Sequence, residues 1–209
     1  TFHEVTDWAK KSDFTVFQQA PCVKALVLPK EMGRSEVEKK YEFLAKSFGS
    51  KGMPWLCLSK EEGLKGSIAK FIDEAALEEL KQLTGATEGT TIIFQADTWL
   101  KACEYLGKLR IEAIKQLDLL KGKEDELAFC FVVDMPLFEE GDDGELGATH
   151  HPFTKPTDKD IEFVKKLGNK IANGEKMTDE EREQLLEVKS DSYDIVLNGY
   201  ELGGGSIRI

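Results

Sequence analysis

An Asn-Gly pair at 198–199, set between the runs 193–197 and 200–202, is the most constraining feature of this chain. Both central residues of a type I′ turn need φ > 0, which Asn and Gly tolerate, so β-branched and apolar runs flanking such a pair predict a β-hairpin. Glu201 sits just past the turn, Gly203, Gly204 and Gly205 follow, and Arg208 is next to last. Glycines in a strand add no side-chain packing and mark a bulge or a place where something approaches the backbone closely. Taken alone, the stretch reads as a glycine-rich edge hairpin. Side chains alternate faces along a strand, so Glu201 and Arg208 point opposite ways unless a bulge shifts the phase by one residue. An irregularity within Gly203–Gly205 is therefore the condition for a shared pocket.

The chain of 209 residues is 41% hydrophobic and 32% charged, enough for one large domain or two small ones to bury a core. No apolar run approaches the roughly 20 residues that span a bilayer, and the first residues lack a signal-peptide layout. A cytoplasmic location and no membrane partner are expected. The net charge of −11 argues against a chain that grips nucleic acid mainly through phosphates, since such chains usually carry a basic face. Cys22, Cys57, Cys103 and Cys130 are widely spaced in apolar contexts. Without CxxC or Cys–His spacing, zinc is not indicated, and reduced, buried, structural thiols are expected.

Residues 1–19 open without an initiator Met and read as a connector. Residues 22–28, 53–58 and 90–95 predict strands by their β-branched and apolar content. Between them, Ser35-x-x-Glu38 reads as a capping box ahead of Val37, Tyr41, Leu44 and Phe48 at helical spacing. Ser67 opens a second helical stretch that stops at Gly85, and Asp97 reads as the N-cap of a long amphipathic helix. Strand and helix alternate through 22–120, a pattern that by itself suggests a parallel α/β sheet. The polar run Lys121–Glu126 is the best domain boundary. Residues 127–138 are apolar on both faces and predict a strand in the interior of a sheet, with Asp134 as a strand-end residue. The acidic tip 139–147 reads as a solvated turn without EF-hand spacing. Residues 155–192 predict two short helices, with Thr157-x-x-Asp160 and Thr178-x-x-Glu181 as caps.

Two of the three histidines stand together in His150-His151-Pro152-Phe153-Thr154. Pro152 pushes His151 toward an extended conformation, so the two rings are expected to project to opposite sides. Alone, the pair reads as surface or structural, and no third ligand stands at a spacing that would suit a metal.

The word HHPFT followed by NGYELGGGSIRI resembles the active-site loop and hairpin of class II, bacterial-type aspartyl-tRNA synthetases. VFQQAPCVKALVLP, KGMPWLCLS, GLKGSIAKFI and TTIIFQAD resemble the GAD domain inserted in those enzymes and found in the B subunit of glutamyl-tRNA amidotransferases. The resemblance implies an α+β fold. A GAD-type antiparallel sheet with helices on one side would occupy 20–122, after the connector 1–19. An incomplete class II antiparallel β catalytic segment would occupy 123–209, made of strand 127–134, the HHPFT loop, a helical insert 155–192 longer than the family's link, and the hairpin 193–209.

The same resemblance implies an aspartate–tRNA ligase that activates L-aspartate with ATP and transfers it to tRNA(Asp). Arg208 would hold the side-chain carboxylate of aspartate, Glu201 would serve ATP and its magnesium, and His150, with His151 beside it, would close the loop over the amino acid. Gly203, Gly204 and Gly205 would be structural glycines of the site. A histidine that charges near the substrate carboxylate favours aspartate over neutral asparagine. ATP and Mg2+ enter as substrate and ion, with no tightly bound cofactor and no catalytic nucleophile assigned. The parent would be a homodimer and this piece a monomer. The motif 2 and motif 3 arginines, motif 1 and an anticodon-binding domain do not occur in the sequence, so the chain by itself is expected to be inactive. The alternative is a stand-alone GAD-type tRNA- or protein-binding module, against which HHPFT and the hairpin argue. A phosphate-binding enzyme using GGGS would need a strand-to-helix context and usually a Lys, whereas GGGSIRI runs into a strand.

Overall fold

Strand β2 (Cys22–Leu28) pairs with β1 (Phe2–Glu4) on one side and β5 (Thr90–Asp97) on the other. Strand β3 (Trp55–Ser59) lies beyond β5, and β4 (Gly63–Gly66) closes the far edge, so the order is β1-β2-β5-β3-β4. Every pairing is antiparallel. The alternation of strand and helix suggested parallel neighbours; instead β5 enters between β2 and β3 and runs against both. The computed structural model describes residues 1–209 except Asp142, and these divide into two units, Thr1–Glu124 and Asp125–Ile209.

The α+β class holds, but helices cover both faces of this sheet rather than one. One face presents Val23, Ala25, Leu56, Ile92 and Phe94 to Trp8, Phe17 and Leu80, which come from α1 (Thr6–Lys10), α2 (Thr15–Gln19) and α5 (Glu74–Thr84). The Trp8 ring stacks on Phe94 with centroids 5.8 Å apart, and its Nε1 donates to the Ala76 carbonyl at 2.8 Å. The opposite face presents Leu26, Leu28, Trp55, Cys57 and Ile93 to Tyr41, Leu106 and Leu109. Tyr41 lies in a helix made of α3 (Arg34–Glu36), a π-helical segment Val37–Glu42 and α4 (Phe43–Ser47); Leu106 and Leu109 lie in α6 (Trp99–Gln116). The reason is in the strands: CVKALVL is apolar without alternation, and such a strand needs cover on both sides.

Residues 1–19 are built into this unit, since β1 is its edge strand and Trp8 and Phe17 fill its core. Helix starts differ in detail from the sequence pattern. Gly33, not Ser35, precedes the helix at Arg34, without a side-chain cap. Ser67 binds the Trp55 amide, leaving Asp73 to cap α5 through Ala76 N at 2.8 Å. Thr98 rather than Asp97 caps α6.

In the second unit, β9 (Ser192–Leu197) is the centre of a three-stranded antiparallel sheet, with β10 (Tyr200–Ser206) and β6 (Phe129–Val132) on its sides. The expectation of an interior position for 127–138 is corrected: among the described residues β6 is an edge strand, and Phe129 and Phe131 are exposed. Asp134, past its end, takes a positive φ of 57°. A hairpin of β7 (Phe138–Glu140) and β8 (Leu146–Ala148) occupies the acidic tip; Asp142, part of that tip, lies outside the described residues. Helices α7 (Ile161–Ala172) and α8 (Asp179–Leu186) follow, around a small core of Leu137, Leu167, Leu185 and Val188. The Thr178–Glu181 capping box is complete, whereas Thr157 donates to the Asp160 carboxylate at 2.8 Å before a short 3-10 turn.

The cysteines are free thiols, but only Cys22 and Cys57 are buried; Cys103 is half-buried and Cys130, on the uncovered strand β6, is exposed. Among the described residues no helix is long and apolar enough to cross a membrane.

Candidate functional site

The hairpin forms as its turn residues dictate. Asn198 and Gly199 have φ of 51° and 85°, the left-handed pair of a type I′ turn. Asn198 does more than turn the chain: its Nδ2 donates to the Glu126 carbonyl at 2.8 Å and its Oδ1 accepts from Ala128 N at 2.9 Å. With Asn198 N bonded to the Ala128 carbonyl, one side chain fastens the strand entering β6 to the hairpin.

The register of β10 against β9 slips between Glu201 and Gly203, so Leu202 is a single-residue bulge. The irregularity expected within Gly203–Gly205 lies instead at Leu202, just ahead of the glycine run, which pairs regularly. Glu201 lies opposite Val196, Gly204 opposite Asp194, and Ser206 opposite Ser192. Residues directly opposite share a face, so these lie on one side of the sheet, and alternation beyond Ser206 returns Arg208 to that side. The glycines differ in need. A side chain at Gly204 would collide with the Asp194 carboxylate, one at Gly205 would press on the Tyr193 ring at 3.0–3.1 Å, and one at Gly203 would meet open space. Asp194 is thus a second carboxylate on the face of Glu201, a residue that sequence reasoning passed over. Its signal was available only through pairing, as the residue opposite the middle glycine.

The HHPFT loop turns at His151–Thr154, closed by Thr154 N donating to the His151 carbonyl at 3.0 Å, with Pro152 in the position that favours proline. His151 Nδ1 accepts from Phe153 N at 3.1 Å, and its ring meets the Phe153 ring edge-on at 5.4 Å. That bond leaves Nε2 to carry the proton of the neutral ring. His150 is exposed.

Loop and hairpin strand are bonded to each other. Thr154 bridges Arg208 in antiparallel fashion, Lys155 N donates to the Ile207 carbonyl at 2.8 Å, and Ile209 N donates to the Phe153 carbonyl at 3.0 Å. Asp191 joins from a third segment: its N–H donates to the Lys155 carbonyl and its carbonyl accepts from Ile207 N. The Lys155 ammonium contacts Asp158 at 2.6 Å and Asp191 at 3.2 Å, hydrogen bonds that hold it protonated above the usual lysine range. Among the described residues no hydrogen bond or ion pair joins His150 or His151 to Arg208 or Glu201. What the structure brings together is the backbone of the HHPFT loop and the strand of Arg208.

The chemistry this allows is specific. Arg208 offers a planar fork suited to a carboxylate. Glu201 and Asp194 offer two acidic groups on one face, and Mg2+ is typically bound by one or two carboxylates plus substrate phosphates. No cluster of three or more metal-binding side chains occurs among the described residues.

A GAD domain is recognised over residues 15–106. The chain is 38% identical over 98% of its length to the aspartate–tRNA ligase of Clostridium botulinum (strain Eklund 17B / Type B), covering 32% of that protein. It is 39% identical over 98% of its length to the aspartate–tRNA ligase of Macrococcus caseolyticus, covering 32% of it. The aspartate–tRNA(Asp/Asn) ligase of Thermodesulfovibrio yellowstonii is 36% identical over 99% of this chain and 34% of its own length. The chain spans about a third of the length of the curated relatives it matches.

Proposed function

We propose that this GAD-bearing relative of the bacterial, class II aspartate–tRNA ligases supplies the amino-acid end of such an enzyme's active site. Residues 20–122 are assigned to the GAD insertion and 123–209 to part of the catalytic domain. The observation that carries the reading is the Leu202 bulge, which puts Glu201, the Gly204–Asp194 pair and the strand of Arg208 in phase on one face, beside the loop of His150 and His151.

In the complete enzyme an oxygen of the aspartate α-carboxylate attacks the α-phosphorus of ATP, forming aspartyl-adenylate and releasing pyrophosphate. A terminal hydroxyl of tRNA(Asp) then attacks the acyl carbon and AMP leaves. Both steps depend on position and on charge compensation rather than on a protein nucleophile. Arg208 takes the side-chain carboxylate of aspartate as a bidentate partner. Glu201 and Asp194 would hold Mg2+ against the ATP phosphates, where the ion supplies charge neutralisation. His150 and His151 close over the amino acid, and a positive ring there favours aspartate over asparagine. The enzyme works in the cytoplasm as a homodimer. The isolated chain, lacking the motif 2 and motif 3 arginines, is inactive.

The test is aspartate-dependent ATP–pyrophosphate exchange by this chain and by a chimera in which it replaces the matching third of the Clostridium botulinum enzyme. The expected result is no exchange by the chain, exchange by the chimera, and loss of that exchange with Arg208→Ala. Exchange by the chain alone would overturn its inactivity. A folded but inactive chimera would favour the second reading, a GAD-type tRNA- or protein-binding module, which the self-contained core of the first unit also permits.

A further inference from the structure

The second unit holds a feature that the synthetase reading does not use: a half-open recess of about 380 Å³ behind the HHPFT loop, with Ile171 49% and Ile209 79% exposed among its lining. Its walls come from the β7–β8 hairpin, through Leu146 and Ala148, from α7, through Val164 and Ile171, and from Met177 ahead of α8. The loop contributes His151, Pro152 and Thr154, while His150 does not line it. Ile209 also lines it; His151 and Thr154 are the polar side chains of the lining, and no lining side chain carries a carboxylate, ammonium or guanidinium.

The walls are held in place by polar ties. Arg182 of α8 binds the Gly144 carbonyl and the Glu140 carboxylate, fixing the β7–β8 hairpin. Lys170 of α7 binds Glu181 of α8 at 2.7 Å. Lys155 ties the segment after the loop to Asp158 and Asp191. A preformed, mostly apolar recess of a few hundred Å³ is the usual form of a small-molecule site.

We propose that this cavity is a binding site for a small, uncharged, mainly hydrocarbon molecule. The absence of any ionic side chain among the lining residues disfavours a charged ligand, whose desolvation would go uncompensated. Since His151 and Pro152 form part of the wall, an occupant bears on the HHPFT loop and moves with it. The binding itself does not depend on the synthetase reading; only the consequence for aspartate rests on it.

Toluene serves as the probe and benzoate as its charged counterpart, titrated into the 209-residue chain carrying 13C-methyl methionine. Met177 lines the cavity, while Met32 and Met53 are buried in the first unit and act as internal references. The expected result is a saturable shift of the Met177 methyl with toluene, absent with benzoate, accompanied at the same midpoint by a shift of the His151 ring signals. Ala148→Leu and Val164→Phe, which fill the cavity, should each abolish the shift while the Met32 and Met53 signals stay in place. No saturable Met177 shift up to the solubility of toluene would overturn the site. So would an equal response to benzoate, or a response that survives both filling variants in folded protein. Saturation with unmoved His151 signals would overturn the link to the loop. These results are read without any enzyme assay, so they stand apart from the outcome of the exchange experiment.

Discussion

The carboxylate of Asp194 occupies the space above Gly204 in which a Cβ would stand. The two residues face each other across β9 and β10, and neither glycine 203 nor glycine 204 has a positive φ. The need at 204 is therefore one of room rather than of backbone conformation. Gly204→Ala should destabilise the second unit by about 1–3 kcal/mol, as overpacking does. Gly203→Ala, which meets nothing within 4 Å, should stay within about 0.5 kcal/mol of the parent. Trp8, Trp55 and Trp99 all lie in the first unit, so urea unfolding of the second is followed by the Met135 and Met177 methyl signals. Equal losses at both glycines would contradict the steric account.

Deleting Leu202 removes the bulge, and Glu201 and Arg208, then six residues apart in a regular ladder, stay on one face. In the chimeric enzyme that deletion should keep most of the aspartate-dependent exchange. Inserting an alanine between Ile195 and Val196, opposite Leu202, also makes the ladder regular but leaves the two residues seven apart and on opposite faces. The insertion should reduce exchange about 100-fold or more, the order of loss that misplacement of a binding group brings. An active insertion variant would show that the phase of the strand is irrelevant.

Edge strand β1 is pinned by the Lys24–Glu4 pair at 2.6 Å, with the lysine side chain 10% and the glutamate 52% exposed. Burial pushes the Glu4 carboxyl up, but hydrogen bonds from Lys24 and Thr6 outweigh it and hold the group below the usual range. Burial likewise lowers Lys24, and the Glu4 hydrogen bond and charge outweigh it, leaving the ammonium above its usual range. A depressed carboxyl contributes stability above its unfolded value and loses it as pH falls through the folded one; a raised lysine contributes below its unfolded value and loses it as pH rises through the folded one. Glu4→Gln should therefore cost about 1 kcal/mol near neutral pH, with the gap closing on acidification through the carboxylate range. Trp fluorescence during urea unfolding at several pH values measures this. A gap independent of pH would assign the effect to packing.

Thiol labelling should rank the cysteines by place in the fold. Cys130 reacts first, Cys103 more slowly, and Cys22 and Cys57 react on unfolding. Burial and the neighbouring Glu4 carboxylate push the Cys22 thiol up, which adds to its protection. Peptide mapping after brief alkylation tests the order, and early modification of Cys57 would contradict the buried sheet face.

Local signals carried far in this chain. Strand β2, the Asn198–Gly199 turn and the Thr178 cap follow from neighbours in sequence, and the structure realises each of them. The condition for a shared face of Glu201 and Arg208 was also legible, because the period of a strand is 2 residues and a seven-residue gap breaks it. What sequence could not supply were relations between distant segments. Trp8 on Phe94 and Tyr41 beneath the other face decide that helices cover the sheet twice. Asp194 became a site residue only when the bulge set it against Gly204. Residues 127–138 misled for a related reason. Their apolar character speaks of burial, but not of which strands border β6, and among the described residues β9 alone does so.

The connection between β6 and β9 has a consequence for the order in which the molecule assembles. Strands β9 and β10 meet through a two-residue turn, and hairpins of that kind close in about 1–10 μs. Strand β6 reaches β9 only across the β7–β8 hairpin and both helices α7 and α8, and closing so long a loop delays pairing. On a growing chain β6 emerges first yet has nothing to pair with until β9 follows. The Asn198 side chain, which ties Glu126 and Ala128 to the hairpin turn, is then the latch that ends this wait. Asn198→Gly, which keeps a residue at ease with positive φ but removes the side chain, should slow completion of the sheet more than formation of the hairpin.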